Sequence, residues 1–247
     1  MGAYDGKTAV ITGGGSGLGL ATAKLLVDGG ARVVVNGRSK DTLDAALEEL
    51  GGNALAVQGD VTSLSDLDEL AARVKDEFGT LDALFVNHGV TIPNPLESTT
   101  EELWDESMAI NLKGAFFTVQ KLVPLMGPGA GVVLTTSAAN VMGLPECSAY
   151  SAGKAGLRSM ARTLSGDLLP RGIRVNAISP GPIDTGILEK TMTAEAAEAF
   201  KAERVAQNPM RRFGRPEEIA KAAAFLAFDA TYTAGVELAV DGGATQL

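Results

Sequence analysis

Tyr150 and Lys154 stand four residues apart, within the stretch Ala149-Tyr150-Ser151-Ala152-Gly153-Lys154-Ala155. On a helix that spacing puts both side chains on one face, with Cβ atoms roughly 5–6 Å apart. Ser151, Ala152 and Gly153 between them are small and leave room for a flat ligand. A free tyrosine, with a pKa of about 10, is a poor acid or base at neutral pH. A neighbouring ammonium favours the phenolate form, which brings a phenol toward the range where general acid–base catalysis works. Ser137 falls where a β-branched run, Val132 to Thr136, stops. A hydroxyl placed there could hydrogen-bond a carbonyl or alkoxide oxygen as charge develops on it. Taken alone, Tyr-x-x-x-Lys is also an ordinary amphipathic pair, so the surrounding elements must decide.

Val132–Thr136 reads as a buried strand. It is followed by a loop of small residues and a long helical pattern that carries Tyr150 and Lys154. Upstream, Lys7–Thr12 is a short apolar strand that runs into Gly13-Gly14-Gly15-Ser16-Gly17-Leu18-Gly19 and then a helical pattern through Leu26. Strand, glycine loop and helix in that order are the context of a dinucleotide fingerprint. The glycines permit close approach of backbone N–H groups to a pyrophosphate at the positive end of the helix. The spacing is Gly-x-x-x-Gly-x-Gly (Gly13, Gly17, Gly19), not the more common Gly-x-Gly-x-x-Gly.

Arg32–Asn36 is a second strand. It ends where a ribose-reading acid is expected, about 20 residues past the glycine turn. Asn36-Gly37-Arg38-Ser39 stands there instead of Asp or Glu. With no acid to repel it, a 2′-phosphate could be paired by Arg38, which favours NADP(H) over NAD(H). Arg38 could equally cap a solvated turn, and Asn36 could bond a ribose hydroxyl.

The remaining chain alternates in the same way. Helix 39–50, strand 54–58 closed by Asp60-Val61, helix 63–78 with a Ser63/Asp66 capping pattern, and strand 81–86 ending at Asn87-His88-Gly89 follow in order. A long helix over 100–124 carries Trp104 and Asn111. Arg174–Ser179 is a sixth strand ending at Pro180-Gly181-Pro182, residues 184–212 form a short helical insertion, 216–228 is the last helix and 236–240 the last strand. Such alternation predicts an α/β fold with a doubly wound parallel sheet of Rossmann type in three layers. The strand order should reverse between the first and fourth strands, beside Gly13 and Asn87. No repeat, linker or low-complexity tract appears, so 1–247 is expected to be one domain, with 184–212 inserted over the crevice.

Composition narrows the function. With 247 residues, 45% hydrophobic, the chain can bury a large core, and a net charge of −9 argues against nucleic acid or an anionic membrane as partner. One cysteine, Cys147, excludes an intrachain disulfide and suits a reducing compartment. The N-terminal residues show no basic, apolar leader and no myristoylation pattern, and no apolar run is long enough to span a bilayer. A cytoplasmic protein is expected. His88 is the only histidine, so a histidine-based triad or multi-histidine metal site is excluded, and no cluster suggests a metal.

Thr12-Gly13-x-x-x-Gly17-x-Gly19, Asp60, Asn87-x-Gly89, Asn111, Ser137, Tyr150-x-x-x-Lys154, Asn176 and Pro180-Gly181 together resemble the short-chain dehydrogenase/reductase family, in its branch of about this length, over nearly the whole chain. The resemblance implies reversible hydride transfer between a nicotinamide and a carbonyl or alcohol. Tyr150 would be the acid/base, Lys154 would assist it and hold the nicotinamide ribose, Ser137 would polarise the substrate oxygen, and Asn111 would hold a water in a proton relay. Gly13, Gly15, Ser16, Gly17, Leu18, Gly19, Asn36, Arg38 and Ser39 would then bind the cofactor. Asp60 and Val61 would lie by the adenine, Asn87 and Gly89 along the adenosine ribose side, and Pro180, Gly181 and Ile183 beside the nicotinamide, with His88 a turn variant that touches the cofactor or the substrate cleft and is not a catalyst. Thr185 would reach the carboxamide or a phosphate. A homotetramer is also implied, with the 100–124 and 147–170 helices in one interface.

Two departures stand out. His88 replaces the alanine usual in Asn-Ala-Gly, and Ser16 stands where NADP-dependent relatives often carry Arg or Lys, leaving Arg38 alone. The expected substrate wall, Asn140, Val141, Leu144, Cys147, Ile187 and Leu188 with Ser137 and Tyr150, is mostly apolar. It fits an uncharged ketone or secondary alcohol. Reduction of a 3-oxoacyl thioester on a carrier protein is the second reading, although residues 124–131 have no basic residue for a carrier. A catalytically idle NADP(H)-binding sensor or scaffold is the third, although Ser137, Tyr150 and Lys154 are all present.

Overall fold

The computed structural model describes residues 2–247, and their side chains except those of Lys190 and Thr191. Among the described residues, β1 (Thr8–Thr12), β2 (Arg32–Gly37), β3 (Ala54–Gln58), β4 (Leu81–Val86), β5 (Met126–Thr135), β6 (Arg174–Pro180) and β7 (Glu237–Val240) form one sheet in the order β3-β2-β1-β4-β5-β6-β7. Every pairing is parallel. The connections carry α1 (Gly17–Asp28), α2 (Lys40–Leu50), α3 (Leu64–Phe78), α4 (Glu101–Met108), α5 (Gly114–Leu122), α6 (Ser148–Leu168), α7 (Leu188–Thr191), α8 (Ala194–Gln207) and α9 (Pro216–Ala224).

Three layers follow from strand geometry, because successive side chains on a strand point to opposite faces and both faces of a parallel sheet are covered. Val10, Leu84, Leu134 and Val175 pack on one side against Leu70 and Val74 of α3, Leu122 of α5 and Leu157 of α6. Ile11, Val35, Phe85, Val133 and Ile178 pack on the other against Leu26 of α1, Leu43 of α2 and Ile219 of α9. Burial of each such side chain contributes about 1.5–3 kcal/mol. This is the doubly wound Rossmann sheet, with its order reversing at β1 and β4. No helix among the described residues is long and apolar enough to cross a membrane.

Three elements differ from the sequence expectation. The helix expected over 100–124 is interrupted by a π turn, Ala109–Lys113, between α4 and α5. Asn111 Nδ2 donates to the Ser107 carbonyl at 3.0 Å. The side-chain amide thereby competes for the acceptor one turn back, and the turn widens. The strand expected from Val132 begins at Met126 instead, with pairing that jumps from Leu81–Met126 to Ala83–Gly131. That bulge lets Gly131 meet the turn after α9, where a Cβ would stand 2.4 Å from the Ala227 carbonyl oxygen. The last helix likewise closes with a π turn, Phe225–Asp229. There the buried Arg174 guanidinium donates to the carbonyls of Leu226, Ala227 and Ala230, a cation at the negative end of a helix.

Candidate active site

β1 leaves the sheet into the glycine loop. Gly13 (φ +64°) and Gly17 (φ +52°) take left-handed conformations that cost glycine little. Gly19 is fixed by contact instead, since a Cβ there would lie 2.2 Å from the Gly13 carbonyl oxygen and 2.7 Å from Asn87 Nδ2. The same amide donates to Gly13 O at 3.4 Å, and the Asn87 N–H donates to the Thr12 hydroxyl at 3.1 Å. These bonds tie the carboxyl ends of β1 and β4 together at the switch point of the sheet, where ligands bind in such folds.

A cavity of about 480 Å³ opens there. The loop gives it Gly13, Gly15, Ser16, Gly17 and Leu18, the end of β2 Asn36, Arg38 and Ser39, the turn after β3 Asp60 and Val61, the turn after β4 Asn87, His88 and Gly89, and the segment after β6 Thr185 and Ile187. Gly37, Gly59, Thr42, Leu43, Val90 and Ile110 line it as well. The sequence reading missed these six, although Gly37 ends β2 and Gly59 follows β3, where the ligand rule would have found them. Asp60 is set by a cap: the Ser63 hydroxyl accepts from Asp66 N–H, and the Asp66 carboxylate accepts from Asp60 N–H at 2.8 Å. The bond from Asp60 N–H first, then the Ser63 hydroxyl donating to Asp66 Oδ1 at 2.7 Å, hold the Asp66 carboxyl below its usual range.

Asn36 is 2% exposed. Its Nδ2 donates to the carbonyls of Val57 (3.0 Å) and Gly59 (3.4 Å), which leaves Oδ1 buried without a partner. Its amide N–H groups are therefore spent, and the side chain offers the cavity an acceptor. Ser39 is occupied as the N-cap of α2, its Oγ accepting from Thr42 N–H. The Arg38 guanidinium is exposed and lies 3.9 Å from the Asp60 carboxylate, a pair that solvent leaves weak. A loop whose backbone faces the cavity, a helix N-terminus and an orphaned buried acceptor fit a dinucleotide.

A second cleft of about 380 Å³ shares Leu18, Asn87, Gly89 and Thr185 with the first, so the two form one groove. Its other walls include Thr135, Thr136 and Ser137 from the end of β5, Tyr150 and Lys154 from α6, and Pro180, Gly181 and Ile183 from the end of β6. Lys154 is 3% exposed. Its Nζ donates to the Thr135 carbonyl at 2.9 Å and lies 5.8 Å from the centre of the Tyr150 ring. Burial pushes its pKa down to about 8. Ser137, in extended backbone, accepts from Ala139 N–H at 3.2 Å and caps a short 3₁₀ turn, Ala138–Asn140.

Asn111 is fully buried. Its Oδ1 accepts from Val90 N–H, and its Nδ2 donates to Val90 O, Ser107 O and Ser107 Oγ. A Cβ at Gly89 would stand 2.9 Å from Asn111 Oδ1 and 3.0 Å from Lys154 Nζ, so the two side chains close around the same backbone. His88 Nδ1 meets the Thr12 hydroxyl at 2.7 Å, while Nε2 is buried and unpartnered. Burial first, then the charge of Lys154, lowers its pKa to about 3. It stays a neutral imidazole at physiological pH.

The expected substrate wall is less tightly assembled. Val141 and Ile187 are each 54% exposed, whereas Cys147 is buried just before α6. Ile187 lines the cofactor cavity, whereas Leu144 and Leu188 are half-buried and line neither cavity. Asn140 is turned toward Glu237, a residue that the sequence reading passed over. An acid inside the otherwise apolar strand Glu237-Leu238-Ala239-Val240 was its only visible signal. Among the described residues no group of three or more His, Cys, Asp or Glu could hold a metal ion.

The sequence profile of a family described as enoyl-(acyl carrier protein) reductase matches residues 13–245. An oxidoreductase, asL5, of Sarocladium schorii is 43% identical over 98% of this chain and 97% of its own length. The 3-oxoacyl-[acyl-carrier-protein] reductase FabG of Thermotoga maritima is 36% identical over 97% of this chain and 98% of its own. A crystal structure titled short-chain dehydrogenase/reductase, glucose/ribitol dehydrogenase, from Brucella melitensis superimposes with a TM-score of 0.93 at 30% identity, covering 100% of this chain and 99% of that one. On this agreement of fold, groove and relatives, the chain belongs to the short-chain dehydrogenase/reductase family of oxidoreductases.

Proposed function

We propose that the protein interconverts an uncharged ketone and its secondary alcohol with a nicotinamide cofactor, NADP(H) in preference to NAD(H). The observation that carries this reading is the single groove, in which Ser137, Tyr150 and the buried Lys154 share a cleft continuous with the glycine-loop cavity. A bound nicotinamide dinucleotide supplies or accepts the hydride. In the reducing direction the Tyr150 phenol gives its proton to the carbonyl oxygen, and the Ser137 hydroxyl donates to the same oxygen. Lys154, with a pKa of about 8, is mostly an ammonium at pH 7; held by Thr135 O, it faces Tyr150 and would bind the ribose hydroxyls. The side chain of Asn111 is engaged with Val90 and Ser107, so its backbone carbonyl is the group that would take the relay water.

Asp60 and Val61 would flank the adenine, Asn87 and Gly89 the adenosine side, and Pro180, Gly181 and Ile183 the nicotinamide, with Thr185 above the glycine loop. Arg38, exposed at the rim with no acid at position 36, supports NADP(H). Apart from Lys154, the cleft lining carries no charged side chain, which supports a neutral substrate. The similarity to FabG favours a second reading, reduction of a 3-oxoacyl thioester. We further propose one domain over 1–247, a cytoplasmic location and a homotetramer. Exposed Trp104 and Phe116 and the apolar groove of Leu112, Phe117 and Met160 between α4–α5 and α6 would be covered in that assembly; sedimentation equilibrium tests it.

The function is tested by titrating the protein with NADPH and NADH, then following cofactor oxidation with cyclohexanone, acetophenone, 2-octanone and an acetoacetyl thioester. Tighter NADPH binding with ketone-dependent oxidation is expected. Turnover of the thioester alone would select the second reading, and binding without any turnover would select an idle sensor.

A further inference from the structure

We infer that Glu237 is a positioning residue of the reaction, whose carboxylate locks the turn bearing Ser137 to the helix bearing Tyr150 and Lys154. The inference rests on the proposed reductase reading. Glu237 opens β7, yet its side chain is only 12% exposed. One oxygen, Oε1, accepts from the Thr136 hydroxyl at 2.7 Å and from Asn140 Nδ2 at 2.5 Å. The other, Oε2, takes Arg158 Nε at 2.7 Å. Thr136 immediately precedes Ser137 and Asn140 ends the turn that follows it, so the carboxylate grips the serine turn from both ends. Arg158 lies one further helical step of four beyond Tyr150 and Lys154, on the same face of α6.

A single carboxylate thus joins the two pieces of chain that must meet at one substrate oxygen. The amide of Asn140 has no alternative orientation, because turning it over would set Oδ1 against a carboxylate oxygen. Thr136 is held from the other side as well, its N–H donating to Ile178 O at 2.8 Å; that carbonyl also lies 2.9 Å from the Thr136 hydroxyl, whose single proton goes to the nearer carboxylate oxygen of Glu237. Removing the charge would loosen Arg158 and weaken the grip on Thr136 and Asn140, since hydrogen bonds to an ionised acceptor are the strong ones. Small displacements of a reacting group are costly: misplacement by about 1 Å can lower the rate about 100-fold.

The test compares wild type with Glu237→Gln, using NADPH and the fastest ketone of the cyclohexanone, acetophenone and 2-octanone set. For Glu237→Gln, kcat is expected to fall about 10–100-fold, while KM and the NADPH Kd stay within about twofold. The deuterium isotope effect on kcat with [4-²H]NADPH should rise, because misplaced proton donors slow the chemical step itself. If Glu237→Gln fails to fold, Asn140→Ala removes one arm of the grip and leaves the Arg158–Glu237 pair; it should show the same rise in isotope effect with a smaller loss of kcat. A kcat that falls only in proportion to titratable NADPH sites, with an unchanged isotope effect, would overturn the inference and leave the reductase reading standing. A wild type inert toward all three ketones would overturn that reading and this inference together.

Discussion

At the β1–α1 end of the groove the surface offered to a ligand is backbone, whereas at the β5–α6 end it is side chain. Gly13, Gly17 and Gly19 leave no room for a Cβ or take conformations that other residues avoid, and the neighbouring Asn36 amide donates to two carbonyls of the fold and Asn87 to one. Around Tyr150, by contrast, each functional group is held by a partner from elsewhere: Lys154 by Thr135 O, Asn111 by Val90, and the Ser137 turn by Glu237. One end is specified by what is absent, the other by what holds what. Substitutions should therefore separate binding from chemistry according to the end they touch.

The largest effect on cofactor binding is expected where the glycine loop has least space. Gly19→Ala would drive a methyl group into the Gly13 carbonyl, 2.2 Å away. Overpacking of this kind costs about 1–3 kcal/mol, and here it falls on the cradle itself, so NADPH affinity should drop by up to about 100-fold. Quenching of protein fluorescence by NADPH measures it, and an affinity near wild type would show that the loop does not hold the cofactor.

Next comes Arg38→Asp, at the rim of the same end. A charge-assisted bond to a 2′-phosphate is worth about 1.5–3 kcal/mol, and the new carboxylate would repel that group. The ratio of kcat/KM for NADPH over NADH should fall at least about 10-fold. An unchanged ratio would mean that Arg38 only decorates the turn, paired with Asp60.

His88 sits between the two ends and sharpens the comparison most gently. In the fold its pKa lies at about 3, against about 6.5 in an unfolded chain. The unfolded chain therefore takes up the proton first as pH falls. The stability contributed by the neutral imidazole is fully present above about pH 6.5 and is lost progressively toward about pH 3. His88→Ala should flatten that acid limb by up to about one proton. Urea midpoints measured from pH 7 to pH 4 give the slope, and parallel curves for variant and wild type would contradict the assignment.

Much of this was legible in the chain itself, and what was not has a physical reason. β3 and β4 lie where their apolar runs place them, and Ser63 caps the helix that follows it. Such signals are local. The π turn at Asn111 was hidden because the amide is anchored by Val90, 21 residues away. The early start of β5 was hidden by Gly127, Pro128 and Gly129, residues that ordinarily mark a loop. Glu237 reaches Asn140 and Thr136 across 97 and 101 residues, a contact no periodicity announces. Residue types that do chemistry can be read from spacing; what holds them in place is a property of the fold.

The central claim, that Tyr150 moves the proton while the glycine end binds the cofactor, is tested most directly by Tyr150→Phe. The account predicts that ketone-dependent NADPH oxidation falls at least about 100-fold at every pH, while the NADPH Kd stays within about twofold of wild type. Substantial turnover by the variant, at any pH and with the same ketone, would contradict it.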